Sequence, residues 1–128
     1  MNKYELCQRY IAALNNSDLK GVLALFSRKA TVSSPLYGVL SAEEFYARLL
    51  FDTMRSDIRI LNIFDRSKCS KAVALHFEYN WTFKNGTITQ FECVDIFNID
   101  NDGEKFRSLM IIYDTAQLRK EFLEFKIG

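Results

Sequence analysis

The sequence predicts one α+β domain, with helices in its first half and an antiparallel sheet in its second half. Apolar residues recur every three or four positions up to about residue 54, as on one face of a helix. From about residue 57 they alternate with polar residues, as in strands, and Asn85-Gly86 and Asp102-Gly103 separate these segments as turns do. The 128 residues show no linker or repeat, so 1–128 is expected to fold around one core.

Two helices are predicted at the start of the chain. The first has four apolar residues on one face, at positions i, i+3, i+4 and i+7: Cys7, Tyr10, Ile11 and Leu14. Ser17 is the expected N-cap of the second. That helix repeats the apolar spacing with Leu19, Val22, Leu23 and Phe26.

A short strand and a third helix are predicted next. The β-branched segment 28–34 indicates a strand, which the only proline, Pro35, brings to an end. Ser41 and Glu44 stand three residues apart in a capping box. This box is expected to start a helix that runs to about Met54.

The second half is predicted to form four strands and a closing helix. Val, Ile, Phe, Tyr and Trp alternate with polar residues between the turn signals. The strands are expected over 57–65, 71–83, 87–100 and 105–114, and the helix over 115–125.

The turn at Asn85-Gly86 decides which strand residues share a face. A two-residue loop would pair Lys84 with Thr87, whereas a three-residue loop with Gly86 in the left-handed region pairs Phe83 with Thr87. The second register is favoured because it collects bulky side chains on one face: Phe77, Tyr79, Trp81, Phe91, Cys93, Asp95 and Phe97.

The opposite face of the same sheet is also predicted to be apolar. It carries Ile88, Val94, Ile96, Met110 and Ile112. One face covers the helices, so the other is expected to meet a partner, and a homodimer is the simplest one.

Composition and charge exclude several classes of function. Seventeen Lys and Arg against sixteen Asp and Glu give a net charge of +1, without the basic surface typical of nucleic-acid binding. No segment is long and apolar enough for a membrane span. The three widely spaced cysteines indicate reduced thiols and a cytoplasmic location. No zinc-ligand spacing or Gly-rich phosphate loop occurs, so neither a metal nor a cofactor is expected.

Asp95, in the segment "FECVDIF", is the main anomaly of the predicted pocket face. A carboxylate among Phe and Cys side chains is costly unless it is hydrogen-bonded or protonated. Burial would raise its pKa and make it a hydrogen-bond donor. Alternatively, Asp95 lies at an edge and faces water, or pairs with an arginine.

Four segments carry a resemblance to a known family. They are "QRYIAALNNSDLKGVLALFSRKATVSSPLYG", "FYARLL", "CVDIF" and "GEKFRSLMIIY". Together they resemble the steroid delta-isomerase and SnoaL-like branch of the nuclear transport factor 2-like superfamily, over almost the whole chain. The resemblance implies a cone, in which a curved mixed sheet and three N-terminal helices enclose a deep apolar pocket, with dimers formed through the sheet.

The same resemblance implies roles for individual residues. Tyr10 and Asp95 match the tyrosine and protonated aspartate that hold the substrate oxyanion in ketosteroid isomerase. Ser34 stands where that enzyme has its carboxylate base, and Ser33 replaces the acid before it. A serine hydroxyl without an activating neighbour is too weak to move a proton between carbons. Steroid isomerisation by that mechanism is therefore not expected.

Asp114 is the other candidate base. It resembles an acidic position of SnoaL-like cyclases, which close polyketide rings by an intramolecular aldol step. The alternative is a helix cap, with Gln117 three residues on as the return partner. The local sequence favours the cap.

These observations predict a small-molecule pocket protein. Its expected ligand is an apolar carbonyl compound, which it would isomerise, cyclise or dehydrate without a cofactor. The alternatives are a non-catalytic module that binds a hydrophobic ligand and a dimerisation module whose cone is filled by aromatic side chains. Besides Tyr10, Asp95 and Asp114, the expected ligand contacts are Ser34, Phe26, Phe45, Leu49, Phe77, Tyr79, Phe91, Cys93, Phe97, Leu109, Ile111 and Tyr113.

Overall fold

A computed structural model describes residues 2–116 and 118–127 and confirms the α+β class. The four helices of this part are α1 (Lys3–Asn15), α2 (Leu19–Leu23), α3 (Ala42–Asp52) and α4 (Leu118–Ile127). The six strands are β1 (Phe26–Ser34), β2 (Gly38–Ser41), β3 (Thr53–Phe64), β4 (Ala72–Phe83), β5 (Ile88–Ile99) and β6 (Phe106–Ile112). None of these helices is long and apolar enough to cross a membrane.

The strands form one open mixed sheet in the order β2-β1-β6-β5-β4-β3. All neighbours are antiparallel except β1 and β6, which run parallel. Because β1 and β6 run parallel, the end of β1 at Ser34 lies beside the end of β6. The turn at 34–38 and the link between β6 and α4 follow these two strand ends.

The three-residue loop between β4 and β5 is confirmed. Phe83 N donates to Thr87 O at 2.8 Å, and Phe77 pairs with Cys93. Gly86 has a φ of +91°, in the left-handed region that favours glycine. The bulky residues of both strands consequently share one buried face, as the favoured register requires.

The helix starts differ in one place from the sequence prediction. Ser41 Oγ accepts from Glu44 N at 3.1 Å, which confirms the cap of α3. The cap of α2 is Asp18, whose Oδ1 accepts from Gly21 N at 2.9 Å. Ser17 was the wrong residue, because it has a φ of +52° and lies in the turn that precedes the cap.

Two further boundaries were wrong, and one strand was missed. Helix α2 ends at Leu23, so Phe26 begins β1 rather than closing a helical face. Helix α3 ends at Asp52, and β3 follows it without a loop. Strand β2 was missed, since its four residues at the sheet edge are too short for alternation to reveal.

Candidate functional site

An internal cavity of about 40 Å³ lies between α1, α3 and the buried face of the sheet. Its walls are mostly aromatic, and none of the described wall residues is Lys, Arg or His. The wall consists of Tyr10, Leu14, Ser34, Tyr37, Phe45, Leu49, Phe77, Tyr79, Trp81, Phe91, Cys93, Asp95, Ile111 and Tyr113.

Asp95 is the one carboxylate among the described wall residues, and it is 1% exposed. It lies in the middle of β5, where Leu75 of β4 and Ile111 of β6 flank it. Burial raises the pKa of Asp95 to about 7. Hydrogen bonds from the Cys93 thiol, 3.3 Å from Oδ1, and from the Tyr10 hydroxyl act in the opposite direction. Asp95 therefore exchanges its proton near neutral pH.

Tyr10 lines the cavity from α1, but its short hydrogen bond is with Tyr46 of α3. The two hydroxyls are 2.7 Å apart, and burial raises both pKa values well above the ordinary range. Phe97 packs edge-on against the Tyr10 ring, with the ring centres 5.1 Å apart. Both tyrosines consequently remain neutral, so the Tyr10 hydroxyl can donate to Asp95 while it accepts from the Tyr46 hydroxyl.

Ser34 lies on the cavity wall at the end of β1. Its Oγ accepts from Leu36 N at 3.3 Å and Tyr37 N at 3.4 Å, which stabilises the turn after Pro35. The Oγ–H remains able to donate, and a hydrogen bond with Ser34 offsets part of the rise that burial causes in the pKa of Tyr113. Ser34 thus offers a hydroxyl and no base.

Four expected site residues lie outside the cavity wall. Phe26, Phe97 and Leu109 are buried one layer deeper, where Phe26 and Phe97 pack on Phe106. Asp114 is exposed and lines a separate surface pocket of about 410 Å³. Its Oδ1 accepts from Ala116 N at 2.9 Å, as in a turn, and its expected capping partner Gln117 lies outside the described residues.

Sequence reasoning missed three wall residues and one supporting residue. Leu14 and Trp81 had been placed on the correct faces without being assigned to the pocket. Tyr37 lies in the turn, where no periodicity indicates a direction. Tyr46 supports Tyr10, and its spacing of four from Ala42 and three from Leu49, both buried, could have identified it.

The arrangement can hold the oxygen atom of a ligand but lacks a separate base for it. Among the described wall residues, the groups that titrate are Asp95, Cys93 and tyrosines. Burial raises the pKa of the Cys93 thiol far above its usual range, so it stays protonated. In residues 2–116 and 118–127, no three His, Cys, Asp or Glu side chains converge as metal ligands do.

No family model matches this sequence. Solved structures, in contrast, share its fold. A nuclear transport factor 2-like protein of unknown function from Burkholderia pseudomallei superposes with a TM-score of 0.78, at 16% identity, over 94% of this chain and 96% of that one.

Two further structures are similar over most of their length. A protein with a ketosteroid isomerase-like fold from Catenulispora acidiphila, in complex with trimethylamine, has a TM-score of 0.75 at 15% identity, over 91% of this chain and 89% of that one. AusH from Aspergillus nidulans has a TM-score of 0.71 at 21% identity, over 91% and 88%. At these identities the likeness shows the fold alone.

Proposed function

On the nuclear transport factor 2-like fold of this chain, we propose that the cavity binds a small apolar carbonyl compound, whose oxygen accepts hydrogen bonds from Asp95 and Tyr10. The observation that carries the proposal is Asp95, a carboxyl group buried in an aromatic wall without a basic partner. A protonated carboxyl group in such a place donates a strong hydrogen bond. The aromatic wall supplies the apolar contacts.

The chemistry that follows is polarisation of a carbonyl group without a cofactor. An acid with a pKa of about 7 is well matched to general acid catalysis at neutral pH. Isomerisation, cyclisation and dehydration all begin with such a polarised carbonyl. The proposal does not include steroid isomerisation, because Ser34 occupies the position of the base.

Binding of two probes of fixed charge tests this function. Cyclohex-2-enone is neutral, so it should bind when Asp95 is protonated and lose affinity as the pH rises through about 7. Tetramethylammonium is of similar size and should behave in the opposite way, because it pairs with the ionised carboxylate. Isothermal titration calorimetry from pH 5.5 to 8.5 measures both.

Asp95→Asn is the matched control variant for this experiment. The amide keeps a donor but cannot titrate, so binding of the ketone should lose its pH dependence. Binding of the ketone that is independent of pH in the unmodified protein would contradict the proposal. Binding of tetramethylammonium alone would assign the site to a small alkylammonium ion, the class to which the trimethylamine bound by the Catenulispora protein belongs.

A dimerisation module is the second candidate function, and the cavity volume favours it. About 40 Å³ is far below the roughly 300 Å³ at which ordinary ligand pockets begin. The outer face of the sheet exposes Ile88, Met110 and Ile112, as a dimer interface would before assembly.

Sedimentation velocity tests the dimer. Met110→Lys places a charge on this face and should convert a dimer to a monomer. Phe51→Lys is the control, since Phe51 is also exposed but lies on helix α3 and not on the outer face of the sheet. A monomeric unmodified protein at 100 micromolar or so, well above typical dimer dissociation constants, would count against this function.

A further inference from the structure

We propose that α4 and Tyr37 form a cover over the cavity, and that Asp52 holds this cover closed. This inference concerns access to the cavity and not the identity of its ligand. A cavity of about 40 Å³ accommodates only a few water molecules. Any larger ligand therefore enters only after part of the wall moves, and the structure indicates which part.

The mouth of the cavity lies on the side of α4. Most wall residues are buried, but Tyr37, Phe91, Ile111 and Tyr113 are partly exposed. Tyr37 belongs to the turn after β1, and Tyr113 to the link between β6 and α4. These are the two segments that α4 contacts or continues, so solvent approaches the cavity beside this helix.

Asp52, at the C-terminal end of α3, connects this helix to Tyr37 and to α4. Its Oδ2 accepts from the Tyr37 hydroxyl at 2.8 Å. Its two oxygens also accept from Lys126 Nζ of α4, at 3.1 and 3.0 Å. Asp52 is 3% exposed, whereas the Lys126 side chain is 47% exposed. Among the described residues these are the side-chain partners of Asp52, and charge-assisted hydrogen bonds to a nearly buried carboxylate are strong.

The beginning of α4 is attached to the same turn. Arg119 Nη2 donates to Pro35 O at 3.2 Å. Phe122 packs edge-on against Tyr37, with 5.3 Å between the ring centres, and also contacts Trp81 of the cavity wall. Polar contacts at both ends and aromatic contacts between them thus hold α4 across the mouth.

The helix also packs on β4, where Phe83 contacts Phe122 and Phe125 with ring centres 6.0 and 5.1 Å apart, but its buried surface is small. Only Leu118 and Phe122 of its ten residues are buried. A helix of this length is marginal in water without its packing partners. Loss of the Asp52 contacts should therefore release α4 and Tyr37 together while the sheet and α1 remain folded.

The labelling rates of two buried cysteines report this opening without a ligand. Cys93 lines the cavity, whereas Cys7 lies in the core on α1 and is absent from the wall. Opening of the mouth exposes Cys93 alone, but global unfolding exposes both thiols. The labelling rates of the two with methyl methanethiosulfonate, read by peptide mass spectrometry, separate these events. The exposed Cys69 reacts first and serves as the internal standard.

The test compares Asp52→Asn and Lys126→Ala with a control, Arg59→Ala. Arg59 also pairs with a carboxylate, Glu78, but this pair lies on β3 and β4 and lines neither the cavity nor the pocket around Asp52. In Asp52→Asn and in Lys126→Ala, Cys93 should be labelled about tenfold faster, as expected for loss of a charge-assisted hydrogen bond. The labelling rate of Cys7 should not change. The control should label both at the original rates.

Two results would overturn the proposal. One is an unchanged labelling rate of Cys93 in both Asp52→Asn and Lys126→Ala. The other is a parallel rise at Cys93 and Cys7, which would show that Asp52 stabilises the whole fold. Neither result bears on Asp95, because the labelling involves no ligand, so failure of the cover and failure of the carbonyl site are distinguishable.

Discussion

The buried carboxyl group of Asp95 should make the stability of this protein depend on pH. Burial raises its pKa from 3.8 to about 7, while the unfolded chain keeps the ordinary value. Between these two pH values the folded protein holds a proton that the unfolded chain releases. Its contribution to stability is fully present below the lower value and is lost as the pH rises to about 7. At about 1.4 kcal/mol per pKa unit, the whole loss is about 4 kcal/mol.

Asp95→Asn isolates this effect, since all other titrating groups remain. The free energy of unfolding, measured by urea denaturation with the fluorescence of Trp81, should be compared between pH 4.5 and 8. The free energy of unfolding of Asp95→Asn, relative to that of the unmodified protein, should increase by about 3 kcal/mol from pH 4.5 to pH 8. A difference that stays within about 1 kcal/mol would refute the reasoning, because Asp95 would then titrate as an exposed group does.

Two further pairs of substitutions test the fold around the site. Asp18→Ala removes the cap of α2 and should cost about 1 kcal/mol in urea denaturation, whereas Ser17→Gly should be neutral or stabilising because it relieves a positive φ. Equal effects of the two would contradict the assignment of the cap. Phe97→Ala should cost about 3–5 kcal/mol, and the exposed Ile88→Ala less than about 0.5, if Phe97 belongs to the core and not to a ligand-sized pocket.

Local patterns predicted most elements of the fold, because each depends on neighbouring residues. Alternation identified β4 and β5, and the requirement for a left-handed residue at Gly86 set their register. The face of α1 followed from helical spacing. The parallel contact between β1 and β6 did not follow, because these strands are distant in the chain and no local pattern records which strands meet.

The candidate site was only partly predictable for a related reason. Strand parity correctly indicated that Asp95 and Cys93 point to the same face as Phe91. How deep a residue of that face lies relative to the cavity is a different property. It depends on how far the sheet curves and on which helices cover it. Phe97 thus lies below the cavity and Phe91 at its mouth, although the two share one strand and one parity.

Asp114 and Asp52 show the same contrast between a local contact and a contact made only in the folded protein. Asp114 was a candidate base by resemblance alone, yet its oxygen is used by a local turn. Asp52 carries no local signal, and its partners Tyr37 and Lys126 are 15 and 74 residues away. A contact between such distant positions is created only when the helices and the sheet have assembled.

The sequence by itself determined the α+β class, the order of the helices and the long strands, the register of β4 and β5, and the inward direction of Asp95. All of these follow from periodicity and turn chemistry, which act over a few residues. Only the tertiary structure decided the volume of the cavity, the hydrogen bond between Tyr10 and Tyr46, and the closure of the mouth by α4. These features depend on how aromatic side chains from separate segments fill the same space, and packing of that kind has no signature along the chain.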